Sequence, residues 1–366
     1  MNDMRYLGKE EIENIAVGAA LLGTGGGGDP YIGKLMALQA IEEYGPIKLL
    51  SIDEVPEGAL IVPSAMMGAP TVMIEKVPSG EEAETAFTAL KEHIGQEIYA
   101  TMPIEAGGVN SLLPLALAAK LGLPVIDADG MGRAFPELQM VTFYLDGVSA
   151  SPMVLADEKG NNIVLNAINN KWAERLARSA TIDMGGSIML AIYPMTKEQV
   201  KESAILDSLS LEEKIGATVR HAKENELAPV QAVLELLGGF ELFKGKVADI
   251  NRTTTDGFAK GTAQIVGVEE FSTETCTLFF QNEHLLAKKG EEVLCVTPDL
   301  IAVLDTDTGT PITTEGIRYG ARCTVIGIPA HEKWRTDIGI ETVGPHYFGY
   351  DVPYTEVENL QKSKVK

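Results

Sequence analysis

Residues 97–127 read EIYATMPIEAGGVNSLLPLALAAKLGLPVID. Glu97–Met102 has the β-branched and aromatic texture of a strand, and Ser111–Leu121 is an apolar run long enough for a helix. Leu123–Ile126 is a short apolar strand that ends at Asp127. Strand, glycine-containing loop, helix and buried strand in that order predict an α/β layer with a largely parallel sheet. The same alternation extends toward the N-terminus. Lys9–Leu22 sets Ile12, Ile15, Ala16, Ala19, Ala20 and Leu22 near one helical face, and Tyr31–Tyr44 and Glu81–Ile94 read as further helices. Ile47–Ile52 and Ala59–Pro63 are the strands between them.

Beyond residue 140 the texture shifts. Val141–Leu145, Pro152–Ala156 and Asn162–Asn166 read as strands, with Asp157–Asn161 as a hairpin turn. A helix over about Ala167–Ser179 and a helical pair, Leu209–Lys223 and Ala228–Leu237, follow, the pair ended by Gly238-Gly239. From Phe243 to Ile340 the chain is short β runs between turn residues, the pattern of an antiparallel barrel or sandwich. A chain of 366 residues exceeds what one core usually serves. The expected architecture is therefore an N-terminal α/β layered sandwich over 1–168, then a helical connection and β-barrel-like domain over 169–366.

Composition narrows the function. The net charge of −22 and pI near 4.6 set a field that repels phosphate backbones, so nucleic acid is not an expected partner. No apolar run reaches the length of a membrane span, and the acidic start MNDMRYLGKEE lacks a signal-peptide pattern; the expected location is cytoplasmic. Cys276, Cys295 and Cys323 form no CxxC pair and read as buried thiols. His93, His221, His284, His331 and His346 are scattered, which disfavours a histidine-rich zinc hydrolase, and there is no GxSxG elbow.

Three segments carry candidate chemistry. The first is Gly23-Thr24-Gly25-Gly26-Gly27-Gly28-Asp29-Pro30, whose backbone is free to approach a ligand, with Asp29 as N-cap and Pro30 opening the next helix. Gly25 to Gly28 and Asp29 are expected to bind substrate through helix-start amides; the competing reading is a tight interhelical turn. The loop lacks the Lys of a phosphate-binding loop and follows a helix, so no nucleotide cofactor is expected, and a nicotinamide enzyme is disfavoured. The second is Met102–Ser111, at the strand end where open α/β sheets bind ligands. Glu105 is its candidate acid or base, and Asn110 contacts substrate or caps the helix. The third is Asp127–Gln139. Asp127 and Asp129 are candidates to activate water, hold a ligand N–H or bind a divalent metal, with a turn-forming role as the alternative. Arg133 offers a fork for a carboxylate and Glu137 orients it or the substrate.

These segments also carry a resemblance. GTGGGGDP (23–30), SAMMGAPTVMIEK (64–76), MPIEAGGVN (102–110) and DADGMGRAFPELQM (127–140) resemble the N-terminal domain of the S-methyl-thiohydantoin desulfurase family. The second half is similar through GKVADINRTTTDGFAKGTAQIVG (245–267), FQNEHLLA (280–287), TPDLIAVLD (297–305), RYGARCTVIGIPA (318–330) and GPHYFGYD (344–351). The resemblance implies an α/β sandwich followed by a β-barrel-like domain, and removal of sulfur from five-membered thiohydantoin rings. Relatives encoded beside hydantoinases and oxoprolinases widen the substrate to hydantoin-like cyclic amides. The expected reaction is attack of water on the carbon between the two ring nitrogens, with Glu105, Asp127 or Asp129 as base. The expected ligand is a small anionic heterocycle. A non-catalytic accessory subunit beside a hydantoinase- or oxoprolinase-type protein is the alternative, and a homo-oligomer is expected. The segments FQNEH and GPHYFGYD depart from the family pattern: His284 stands where Asn is usual, and His346-Tyr347 where Arg-Ala is usual.

Overall fold

A computed structural model describes residues 4–68, 72, 79–255 and 258–362. The alternation around residues 97–127 produces β4 (Ile98–Pro103), a helix Gly108–Leu121 and β5 (Val125–Ile126). β4 and β5 pair in parallel through Thr101 and Val125. Around them lie β1 (Arg5–Leu7), β2 (Ile47–Leu50), β3 (Leu60–Gly68), β7 (Met153–Ala156), β8 (Asn162–Leu165) and β9 (Ser187–Ala191). The order is β1-β2-β5-β4-β3-β9-β7-β8, with β10 (Met195–Thr196) paired to β3. The centre, β2-β5-β4-β3, is parallel, while β1, β9, β7 and β8 are antiparallel additions. Ala128–Asp129 (β6) and Ile205–Leu206 (β11) form a separate two-stranded ladder.

β3 is apolar apart from Ser64 because both its faces are covered. Leu60, Val62 and Met66 pack with Phe87, Leu90, Val109 and Leu113 from helices α3 (Glu81–Ile94) and α4 (Gly108–Leu121). Ile61, Ala65 and Met67 face the other way, toward Ala173 and Ala177 of α5 (Asn170–Asp183). α1 (Lys9–Leu22) lies on α6 (Ser208–Glu224), and α2 (Pro30–Tyr44) lies on α4. Ala65-Met66-Met67-Gly68 is thus the buried end of a strand; residues 69–71 and 73–76 of the quoted 64–76 segment fall outside the described residues.

After α7 (Pro229–Leu237) the β-rich region forms one antiparallel sheet of seven strands. In chain order these are β12 (Phe240–Thr255), β13 (Phe258–Gly267), β14 (Thr275–Gln281), β15 (Glu283–Lys289), β16 (Glu292–Val296), β17 (Leu300–Asp305) and β18 (Arg322–Ile328). Spatially they run β16-β15-β14-β13-β12-β18-β17. β17 comes back against β15 and β16, curling the sheet into half a barrel around Phe243, Ile265, Leu278 and Val325. Cys276, Cys295 and Cys323 are all buried in its strands.

One expected strand differs from the fold. Val141–Leu145 is not a strand: Thr142–Leu145 is a helical turn, because Gly130 O accepts both the N–H and the Oγ1 of Thr142 at 2.6 and 3.1 Å. Beyond residue 168 the chain also adds β9 to the first sheet, between β3 and β7. α6 also packs on α1, so the helical connection is shared with the N-terminal layers.

Candidate functional site

The carboxyl ends of β3, β4 and β5 open onto one cleft, where an open α/β sheet offers unpaired backbone and loop side chains to a ligand. β3 brings Met66 and Met67, the turn after β4 brings Ile104 and Glu105, and the loop after β6 brings Met131 and Phe135 to Leu138. Gly27, Gly28 and Asn110 form another wall, and Asn282 and Glu283 reach in from the half-barrel. The cleft encloses about 570 Å³ of empty space, its open mouth included.

Glu105 is the central acid. It is buried, and Asn110 Nδ2 donates to its Oε1 at 2.6 Å. Asn110 is itself fixed: its Oδ1 accepts from Met66 N at 2.8 Å, and Nδ2 also donates to Met66 O at 3.2 Å. The amide therefore cannot turn without breaking the β3 anchor. Burial raises the Glu105 carboxyl to about 8, against hydrogen bonds from Asn110 and the Phe135 amide; Asp129 adds to the rise. Glu283 is equally buried, its Oε2 has no partner among the described residues, and burial together with Glu105 pushes it well above the usual carboxylate range.

The other expected residues separate into two groups. Glu137 borders the cleft and accepts the Tyr347 hydroxyl at 2.7 Å, so the unusual GPHYFGYD segment touches a residue of the cleft wall. Asp127 and Asp129 do not line it. Asp127 accepts Ser210 N at 3.1 Å and the Ser210 hydroxyl, holding the start of α6, with Arg5 at 3.8 Å. Asp129 accepts Met131 N and Gly132 N at 2.8 and 2.7 Å and shapes the loop that carries Phe135; burial raises it to about 6. Among the described residues no group of three or more His, Cys, Asp or Glu side chains is arranged to hold a metal ion.

Arg133 is also elsewhere. It is sealed between the two halves, donating to Pro298 O, Asp299 O, His284 O and Thr24 Oγ1 at 2.8–3.2 Å. Its fork is taken up by backbone carbonyls and the Thr24 hydroxyl, and Arg133 does not border the cleft. Arg178 takes the place at the cleft as the one cation among its described lining residues. Glu174 pairs with its Nε, Pro136 O accepts Nη2 at 3.0 Å, and Phe258 lies 4.1 Å beneath the guanidinium. The i,i+4 spacing of Glu174 and Arg178 on a helix was the sequence signal for this pair.

The glycine loop divides as well. It is an interhelical turn, with Asp29 accepting Tyr31 N at 2.8 Å as the N-cap of α2. Gly27 and Gly28 line the cleft, but Gly25 and Gly26 face the half-barrel. Gly25 O accepts from Thr314 N and Oγ1 at 2.8 and 2.9 Å, and Gly26 N is engaged by Gly23 O at 2.8 Å. A Cβ on Gly108 would lie 2.2 Å from Gly27 O, so the glycines let two backbones meet at van der Waals distance.

Comparison with known proteins agrees with this architecture. A crystal structure of a protein from Chromobacterium violaceum is similar over 96% of this chain and 100% of its own, with TM-score 0.83 and 24% identity, which shows a shared fold. No curated protein matches. Residues 10–167 match the family described as S-Me-THD-like, N-terminal domain, and residues 168–357 its C-terminal domain. With both domains matched in order, the chain belongs to the S-Me-THD-like, or S-methyl-thiohydantoin desulfurase, family.

Proposed function

We propose that this protein is a hydrolase that removes sulfur from a five-membered thiohydantoin-type ring, with Glu105 as its acid–base group. The observation that carries the reading is the Glu105 carboxyl: it borders the cleft and is oriented by Asn110, and burial holds it near 8. A carboxyl with that value is protonated at neutral pH and close enough to the working pH to exchange its proton. Glu105 donates that proton to a ring nitrogen, which makes the carbon between the nitrogens electron-poor. Water adds there, and its released proton returns to Glu105. The carbon–sulfur bond then breaks, the thiol leaves carrying the hydroxyl proton, and the ring retains a carbonyl oxygen. Arg178 supplies the positive charge that receives an acidic substituent of the ring.

The test is the full chain alone with a panel of S-alkyl thiohydantoins, thiohydantoins and hydantoins, reading thiol or sulfide release and ring opening. Thiol release is expected from the wild type. Glu105→Gln should lower it by about 100-fold or more, and kcat/KM should fall as pH rises through about 8. Absence of any product from the chain alone, or full turnover by Glu105→Gln, would overturn the proposal.

A further inference from the structure

The half-barrel contributes its own acid to the cleft. Glu283 opens β15, borders the cleft that Glu105 borders, and is only 2% exposed. Its Oε2 is buried with no hydrogen-bond partner among the described residues, a state that costs stability unless something uses it. Its backbone is built to hold it there. Asn282 before it is a non-glycine residue at φ 60°, a conformation kept only when surroundings enforce it. Asn282 N donates to Ala259 O at 2.7 Å and its Oδ1 accepts Ala259 N at 2.8 Å, while its carbonyl accepts Thr314 Oγ1 at 2.8 Å. On the other side, Gly26 is bare to make room: a Cβ there would meet Glu283 Oε1 at 2.0 Å.

We infer that Glu283 is a second catalytic carboxyl, which protonates the departing sulfur while Glu105 serves the ring nitrogen. The inference rests on the desulfurase reading above. As the carbon–sulfur bond breaks, Glu283 gives its proton to the thiolate and recovers one from the hydroxyl group on the same carbon. The charged groups around it are Glu105, Glu315 and Arg133. Burial, with Glu105 beside it, keeps Glu283 neutral and able to donate, and Arg133 opposes this. Two carboxyls facing one cleft from separate sheets also explain why the two halves are clamped together at this point.

The experiment compares a methylthio ring, whose thiolate needs a proton to leave, with a nitrophenylthio ring, whose thiolate leaves without one. Glu283→Gln should lose about 100-fold in kcat/KM on the first and less than about 10-fold on the second, keeping the fall near pH 8 that belongs to Glu105. Glu283→Asp should recover part of the loss if the Gln variant folds poorly. Equal losses on both substrates would make Glu283 structural and overturn the inference. Infrared spectra at pH 7 give a readout independent of turnover: the protonated-carboxyl band should lose intensity in Glu283→Gln. An unchanged band would refute a neutral Glu283 even if thiol release were confirmed. A wild type with the Glu283 band but no thiol release would instead refute the desulfurase reading, and the sulfur step with it.

Discussion

Asn110 sets what Glu105 can do. Its N–H donation favours the ionised carboxylate and pulls against burial, so it moderates a rise that burial would otherwise take further. Asn110→Ala should therefore move the alkaline fall in kcat/KM upward from about 8 and lower kcat, with KM changed less. A pH profile of the variant checks this, and an unmoved limb would show that Asn110 merely supports β3. Arg178 should behave in the opposite way. Its removal as Arg178→Met should raise KM for rings with an acidic arm by roughly 10- to 100-fold, the value of a charge-assisted hydrogen bond. Uncharged ring analogues should be affected little. Equal changes for both would assign Arg178 to holding Glu174 and Pro136 alone.

The glycine loop shows how an element acquires two duties. Gly27 and Gly28 border the cleft, with Gly27 also leaving room for the Gly107 backbone, whereas Gly25 and Gly26 leave space for Thr314, His284 and Glu283 of the half-barrel. Gly26→Ala should cost about 1–3 kcal/mol through overpacking, read as a lower denaturation midpoint, and should displace Glu283 and so reduce turnover. Much of this geometry was legible in sequence. The strand-end position of Glu105, the Asp29 N-cap and the opening Pro30 follow from local pattern, and all three occupy the expected elements. Local pattern does not reveal which acids share a cavity. Asp127 and Asp129 look like Glu105 in sequence, but neither borders the cleft: Asp127 accepts from Ser210 at the start of α6, and one Asp129 oxygen accepts the Met131 and Gly132 amides. Glu283 and Arg178 become visible only when β15 and α5 are brought to the cleft by tertiary folding.

At the scale of the molecule, the two sheets are held together by groups that look catalytic when read alone. Arg133 is the clearest: burial lowers its guanidinium to about 10, yet five acceptors from both halves surround it. Near it the His284 imidazole is driven down to about 3 by burial and by Arg133, and so stays neutral. The acids go the other way. Glu105 rises from 4.5 to about 8 and Asp129 from 3.8 to about 6, both chiefly through burial. A folded value above the unfolded one favours the protonated form in the folded state. Their contribution is thus complete below the unfolded values and is lost as pH rises, for Asp129 through about 6 and for Glu105 through about 8. The net charge of −22 works in the same direction through self-repulsion. The folded protein should consequently melt at progressively lower temperature from about pH 5 to about pH 8, with Glu105 alone accounting for a loss on the order of 4 kcal/mol. Glu105→Gln removes that titration while keeping the side chain's size. Its melting temperature should decline less steeply with pH and overtake the wild type on the alkaline side, and parallel curves for the two proteins would show that Glu105 is not held protonated in the fold.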